Sequence, residues 1–334
     1  MVERRPGVMP PKPGPPPPRR PSARQVVRRR TVALAVLVLL LGGLGWLAVA
    51  AIGGGGDSSG ESTNAHVTTS SSLIYSTETV ITDGKTTETV VAMPKPFHVI
   101  FPEGFTIAQM AERVGAVKRI AEHERHVKPL LSTRGYFAAV RRAGTPPCFA
   151  GRARSEEGFL FPATYEFFKQ TTATQLVQDQ QDAFCESWQH VNLAYARSKN
   201  LTPYDVLIIA SMVEKETLAP DERPLVAAVI YNRLHKRMPL AIDATLRYGL
   251  NIPPTESIHE SQLQSNSPYN TRNHSGLPPT PIASPGLASM QAAAHPAKVS
   301  YLYFVRKPDK KHHFFTASYR AFHDYSNAHG YGVH

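Results

Sequence analysis

Only two cysteines occur in the 334 residues, Cys148 in a proline-rich loop and Cys185 on an expected helix, and they fit no metal-ligand spacing. Pairing between them would need an oxidising compartment. The 14 histidines contain no H-E-x-x-H or similar repeat. His312, His313 and His323, like His123 and His126, therefore read as structural or surface residues, and no metal site is expected. There is no G-x-S-x-G turn and no Ser-x-x-Lys motif to activate a serine, and no glycine-rich cradle for phosphate. No cofactor is called for. A concentrated basic stripe is also missing beyond residue 30. The net charge of +11 comes mainly from residues 1–30, where nine Lys and Arg stand against Glu3 alone, leaving only +3 for the rest. Nucleic acid is thereby excluded as the default partner of the folded part.

What is present begins with a tail, 1–30, too rich in Pro and Arg to bury a core. Thr31 to Ile52 follow as 22 residues without a charge. As a helix they would span about 33 Å, enough for a single transmembrane helix. The basic cluster before the run orients the N-terminus to the cytoplasm and the remaining chain to the outside of the cell membrane. Ala48-Val-Ala50 resembles a signal-peptide cleavage site, but the long basic region and long apolar run favour an uncleaved anchor. Residues 53–72, rich in Gly, Ser and Thr, form a flexible linker with a reach of about 25 Å.

The expected fold class beyond the linker is α+β: a small β-plus-helix module over 73–115, then a mainly helical domain over 116–334 closed by a C-terminal β-hairpin. Alternation about Asp83-Gly84 predicts a hairpin over 73–93. Phe97 to Phe101 predicts a strand, and Thr106 with Gln109 boxes the start of a helix. Residues 116–155 are basic and read as a solvated helical face. Helices are expected from about Thr174 to Val191, with Phe184 and Trp188 inward, and from Asp221 to Lys236, with Leu225, Val229 and Leu234 inward. A short helix is expected to be capped by Asp243, and another by Ser284 with Pro285 at its first position. Pro268, Pro278, Pro279 and Pro281 stiffen the long loop 267–283, and a loop of that length is more often functional than idle.

The segment Asp205-Val-Leu-Ile-Ile-Ala-Ser-Met-Val-Glu-Lys-Glu-Thr217 organises the rest. Thr202 can cap it, Pro203 fits its first turn and Asp205, three residues after the cap, makes a near capping box. Stepping back from Glu216 by four, three and four residues meets Met212, Ile209 and Asp205, so Glu216 lies on a mostly apolar stripe. Desolvation and the negative end of the helix dipole both disfavour its charge, which suits a carboxyl that must release a proton at neutral pH. The same geometry also fits a helix-end Glu that reaches solvent or pairs with an Arg. Glu214 lies on the neighbouring stripe. With serine, metal and phosphate chemistry set aside, a carboxylate in a groove points to glycoside chemistry.

Glu157-Gly-Phe-Leu-Phe-Pro-Ala-Thr-Tyr165, Ala210-Ser-Met-Val-Glu-Lys-Glu-Thr217, Tyr231-Asn-Arg-Leu234, Asp243-Ala-Thr245, Ser267-Pro-Tyr-Asn-Thr271, Gly276-Leu-Pro-Pro-Thr-Pro-Ile282, Pro285-Gly286, His295-Pro-Ala297 and Tyr301-Leu-Tyr-Phe-Val305 occur in one order. Together they resemble the endolytic murein transglycosylase (YceG-like) family over roughly residues 97–325. The resemblance implies that Glu216 is the catalytic acid, with Glu214 as runner-up and Glu157 as a supporting or structural carboxyl. It implies that Asp243, Thr245, Tyr269, Asn270 and Thr271 bind or orient the sugar; stapling the loop by hydrogen bonds is the other role open to them. Implied partners are peptidoglycan glycan strands and the penicillin-binding synthases. The implied reaction breaks the bond between N-acetylmuramic acid and N-acetylglucosamine and leaves a 1,6-anhydro end, one carboxyl acting as acid and then base. An anchored scaffold with weak or no activity is the alternative. Hydrolysis would need a second carboxylate, for which Asp243 is the candidate. The chain departs from the family where Ala241, Ile242 and Ala244 flank Asp243 in place of Gln, Thr and Pro, at Ala163 in place of Asp, and at Phe322 in place of Glu. The family's LysM-like module is barely recognisable before residue 97.

Overall fold

A computed structural model describes residues 73–82 and 85–331. The tail 1–30, the apolar run 31–52 and the linker 53–72 lie outside them, and no helix among the described residues is long and apolar enough to cross a membrane. Strands β1 (Leu73–Thr82) and β2 (Lys85–Pro94) form the expected antiparallel hairpin. Strand β3 (Phe97–Ile100) alternates buried and exposed residues, but its partner is β4 (Thr164–Phe167), with Phe97 opposite Phe167 and Ile100 opposite Thr164.

Thr106 and Gln109 make the predicted capping box, each side chain accepting from the other's backbone N–H, and start helix α1 (Ile107–Arg125). This helix runs through the expected module boundary at 115–116. With β3 and β4 it buries Val99, Phe101, Met110 and Val114 against helix α2 (Thr133–Ala143) and the first half of helix α3 (Ala173–Trp188). The two sides of that position therefore share one core. At its centre Tyr136 is fully buried and its hydroxyl donates to Gln180 Oε1 at 2.5 Å, so no polar atom there is stranded. As expected, His123, Arg134, Arg141 and Arg142 are exposed.

The far half of α3 turns Phe184 and Trp188 into a second core with Phe149 and Phe159. A disulfide between Cys148 and Cys185 fastens the loop after α2 to α3. After a short helix α4 (Ala194–Ser198) comes helix α5 (Pro203–Glu216), begun by the Thr202–Asp205 box and by Pro203 in its first turn. The eight buried residues from Val206 to Val213, together with Tyr204, leave it no solvated flank along its middle, because helix α6 (Arg223–His235) and helix α9 (Leu287–Ala294) pack on it. A single 3-10 turn, Pro220–Glu222, precedes α6, so the helix expected from Asp221 starts two residues later. On α6 Val229 is buried, while Leu225 and Leu234 are only partly so.

Two expected caps are corrected. Helix α7 (Asp243–Leu250) takes Ile242 as its cap residue and Asp243 as its first helical residue, with no side-chain cap. Helix α9 begins after Gly286, not Ser284. Ser284 is instead held by tertiary backbone bonds: its N–H donates to Phe105 O at 2.8 Å and its carbonyl accepts from Gly104 N at 2.9 Å. These stitch the 102–105 turn to the end of the long loop. After the one-turn helix α8 (Glu260–Leu263) and α9, strands β5 (Tyr303–Arg306) and β6 (His313–Thr316) make the expected C-terminal hairpin, with Arg306 opposite His313. Helix α10 (Tyr319–Ala328) closes on it through stacked Phe314 and Tyr325, 4.3 Å apart.

The disulfide restricts a sequence separation of 37 residues. Replacing Cys148 and Cys185 together by Ser should lower the unfolding free energy by about 2–4 kcal/mol. Urea unfolding of oxidised protein checks this; an unchanged midpoint would contradict it.

Candidate active site

Two glutamates near the end of α5 leave the helix in opposite directions, because two residues along a helix is a rotation of about 200°. Glu214 turns toward α6 and α9. Its Oε2 accepts from Gly286 N at 3.0 Å, and its Oε1 lies 3.6 Å from Arg223 Nη2, which is also 3.6 Å from Glu103 Oε2. Glu214 thus places its charge at the start of α9, where the helix dipole favours an anion, and it does not border the groove described next.

Glu216, the last residue of α5, faces a groove of about 1380 Å³. One wall is the start of α1 with Gln109 and Glu112; the other is the hairpin and α10, with Tyr303, Arg306, Tyr319 and Phe322. Asp243, Tyr248, Tyr269 and Arg272 close a third side. Burial is the main force on the Glu216 carboxyl, and the Asp243 carboxylate adds to it; together they push its pKa up to about 7. Arg306, the Ala244 backbone N–H and Lys215 pull the other way. The Ala244 N–H belongs to the first turn of α7, so the carboxyl sits at the positive end of one helix and the negative end of its own.

Glu157 is another carboxyl on the groove, and it is only 4% exposed. Ile107 N donates to both of its oxygens at 3.1 and 3.3 Å, and the Tyr248 hydroxyl donates at 3.2 Å. Burial raises it to about 7 as well. Its bonds fix the start of α1. Gly158 beside it adopts φ 90, and a Cβ there would meet Pro281 Cβ at 2.9 Å. That explains the Glu-Gly pair: the chain must turn left-handed under the long loop.

The five expected sugar-binding residues divide. Asp243 is half exposed on the groove, its Oδ1 held by Arg272 Nη2 at 2.6 Å. Tyr269 also lines the groove; its hydroxyl is 2.8 Å from Thr280 Oγ1, and its ring packs on Gly249, where a Cβ would come within 2.5 Å of Tyr269 Cβ. Thr245, Asn270 and Thr271 are buried and face away. Asn270 Nδ2 donates to the carbonyls of Leu263 and Ser265, and its Oδ1 accepts from Arg272 N. Thr271 Oγ1 accepts from Ile242 N at 3.0 Å and is 3.0 Å from Thr245 Oγ1. Thr245 and Thr271 tie the long loop to the start of α7, and Asn270 ties it to the end of α8.

Sequence reasoning passed over Arg272, Tyr248 and Arg306. The first follows Ser267-Pro-Tyr-Asn-Thr271 directly and the last ends the Tyr301–Val305 motif, so adjacency to those motifs was the available signal. Of the histidines tested for metal, His313 is buried with Nδ1 2.7 Å from Glu222 Oε2, and His312 sits 2.8 Å from Asp309 Oδ2.

Residues 69–328 match the model of the YceG-like family. A Streptococcus pneumoniae protein named endolytic murein transglycosylase is 34% identical over 220 residues, covering 61% of this chain and 39% of that protein. A Bacillus subtilis protein of the same name is 36% identical over 151 residues, covering 45% of this chain and 42% of its own. The chain thus spans about two fifths of the length of these curated relatives. A crystal structure of a yceG-like protein from Listeria monocytogenes superposes with a TM-score of 0.53 at 29% identity, covering 68% of this chain and 75% of that one.

If Asn270 staples the loop, Asn270→Ala should cost about 2–3 kcal/mol of stability through its stranded partners. Thermal or denaturant unfolding reads this. A change below about 0.5 kcal/mol would place the side chain among solvated surface positions instead.

Proposed function

The chain belongs to the YceG-like family, and from that premise we propose that it cuts peptidoglycan glycan strands internally, as a lytic transglycosylase. The observation that carries this reading is Glu216, a carboxyl raised to about 7 on an open groove lined by aromatic side chains; Glu157, raised to the same range, is occupied by the Ile107 N–H and the Tyr248 hydroxyl. A group with that pKa holds a proton at neutral pH and can also take one back. Glu216 protonates the glycosidic oxygen between N-acetylmuramic acid and N-acetylglucosamine. The bond from that oxygen to the muramyl anomeric carbon breaks, and the proton stays with the departing sugar. The muramyl 6-hydroxyl attacks the anomeric carbon and returns its proton to Glu216, closing the 1,6-anhydro ring. Because the nucleophile belongs to the substrate, one carboxyl suffices, and holding the two groups together lowers the barrier.

In this reading the uncharged run 31–52 is the membrane anchor, the folded part works outside the cell membrane, and penicillin-binding synthases are its neighbours. The homologues named endolytic murein transglycosylase support the substrate class. A second reading has its own support: Asp243 is half exposed and close enough to Glu216 to raise its pKa. A carboxylate there can direct a water to the anomeric carbon, which would give hydrolysis.

Digestion of purified glycan strands, with products resolved by mass, separates these. The transglycosylase reading predicts anhydro ends, each lighter by one water than a hydrolytic end, and a rate lower by on the order of 10³ in Glu216→Gln. Reducing ends would assign the reaction to hydrolysis with Asp243; intact strands bound without cleavage would leave a scaffold.

The acid must be protonated, so cleavage should fall as pH rises through about 7. Asp243 raises the Glu216 pKa, so Asp243→Asn should move this limb to lower pH. A limb that stays in place would contradict the coupling.

A further inference from the structure

Among the described residues, five lysine and arginine side chains line the groove, and four are already engaged. Lys215 Nζ donates to Gly104 O at 3.2 Å. Arg233 donates to the carbonyls of Leu302 at 2.6 Å and Leu240 at 2.7 Å. Arg247 donates to the carbonyls of Pro253 and Glu256, both at 2.9 Å. Arg272 is paired with Asp243 at 2.6 Å. The fifth, Arg306, is exposed and has no hydrogen bond or ion pair from its guanidinium among the described residues.

Nor is Arg306 on a loose tip. It is the last residue of β5, directly opposite His313 on β6, and Lys307 N closes the ladder on His312 O at 2.7 Å. His313 is anchored twice on the buried Glu222, through its backbone N at 2.8 Å and its ring Nδ1 at 2.7 Å. The hairpin is thereby pinned to the turn before α6, and the Arg306 backbone is held at the groove. The charge acts inside that groove, since it opposes the rise in the Glu216 pKa.

A rigidly based guanidinium without a protein partner, beside several carboxyls, suits an anion brought by the ligand. An unbalanced anionic ligand would be repelled by Asp243 and Glu112, and by Glu216 whenever it is ionised. A carboxylate meets guanidinium in a two-pronged geometry that no sugar hydroxyl matches. We propose that Arg306 receives a carboxylate of the glycan strand: the lactyl carboxylate of muramic acid or a carboxylate on the peptide it carries. The inference rests on the peptidoglycan reading and adds what the groove selects. A strand of N-acetylglucosamine alone has no such group, so Arg306 makes the site prefer muramyl strands over chitin-like ones.

Binding in the full chain carrying Glu216→Gln separates strand recognition from cleavage. The ligands are peptide-free glycan strands, the same strands with their carboxylates amidated, and strands that retain peptides. Adding Arg306→Gln should weaken binding of a carboxylate-bearing strand about tenfold, or roughly 1.4 kcal/mol, and leave amidated peptide-free strands unchanged. Arg306→Lys should recover part of the loss. Loss on the peptide-free strands identifies the lactyl carboxylate; loss only on the peptide-bearing strands identifies the peptide. Equal effects on amidated and carboxylate strands, or no effect on either, would overturn the proposal while leaving the peptidoglycan reading standing. If no strand binds with Arg306 intact, that reading falls first.

Discussion

The balance of forces on one carboxyl governs this structure. Glu216 is pushed toward its neutral form by burial and by the Asp243 carboxylate, and is kept within reach of ionisation by Arg306, Lys215 and one backbone N–H of α7. None of these groups is near it in sequence except Lys215. The Thr202–Asp205 box starts α5, and a sheath of apolar neighbours holds its middle in place. Thr271 and Thr245 hold the long loop on the start of α7, next to Asp243 and the Ala244 N–H, and Asn270 fastens the same loop to the end of α8. The C-terminal hairpin, pinned through His313 and Glu222, brings Arg306.

The contrast between Glu214 and Glu216 shows how similar residues on one helix acquire unlike roles. Glu214 has an arginine and the N–H that opens α9, so its charge is balanced where it is buried. Removing one partner of such a pair would leave an uncompensated charge, at a cost of about 3–5 kcal/mol when burial is complete. Glu216 has a competing anion beside it and an open groove in front. The first arrangement stabilises the fold; the second keeps a proton available for chemistry.

Much of this was legible in the chain, and the limits have physical causes. The boxes at Thr106 and Thr202 and the hairpin ending at Thr316 depend on neighbours within a few residues, so local rules found them. The pairing of β3 with β4 joins residues 97–100 to 164–167, a contact no local pattern announces. Ser284 and Asp243 have good capping chemistry, yet long-range backbone bonds claim the first and the groove claims the second. Thr245, Asn270 and Thr271 look alike in sequence whether they face a ligand or staple a loop; only the fold shows that they are buried away from the groove. Arg306 stands out only after the partners of the other four groove cations are known, which is information about folding rather than motif.

The most direct test of the account is the titration of Glu216 itself, by carbon NMR on protein labelled at the glutamate carboxyls, with Glu216→Gln supplying the assignment by difference. Glu157 is expected to titrate in the same region, so the difference spectrum is needed. The account predicts a midpoint at about 7 for the resonance that the substitution removes. A midpoint near the unperturbed glutamate value of about 4.3 would mean that the groove leaves Glu216 ionised at neutral pH, and the proton-donor role would be lost.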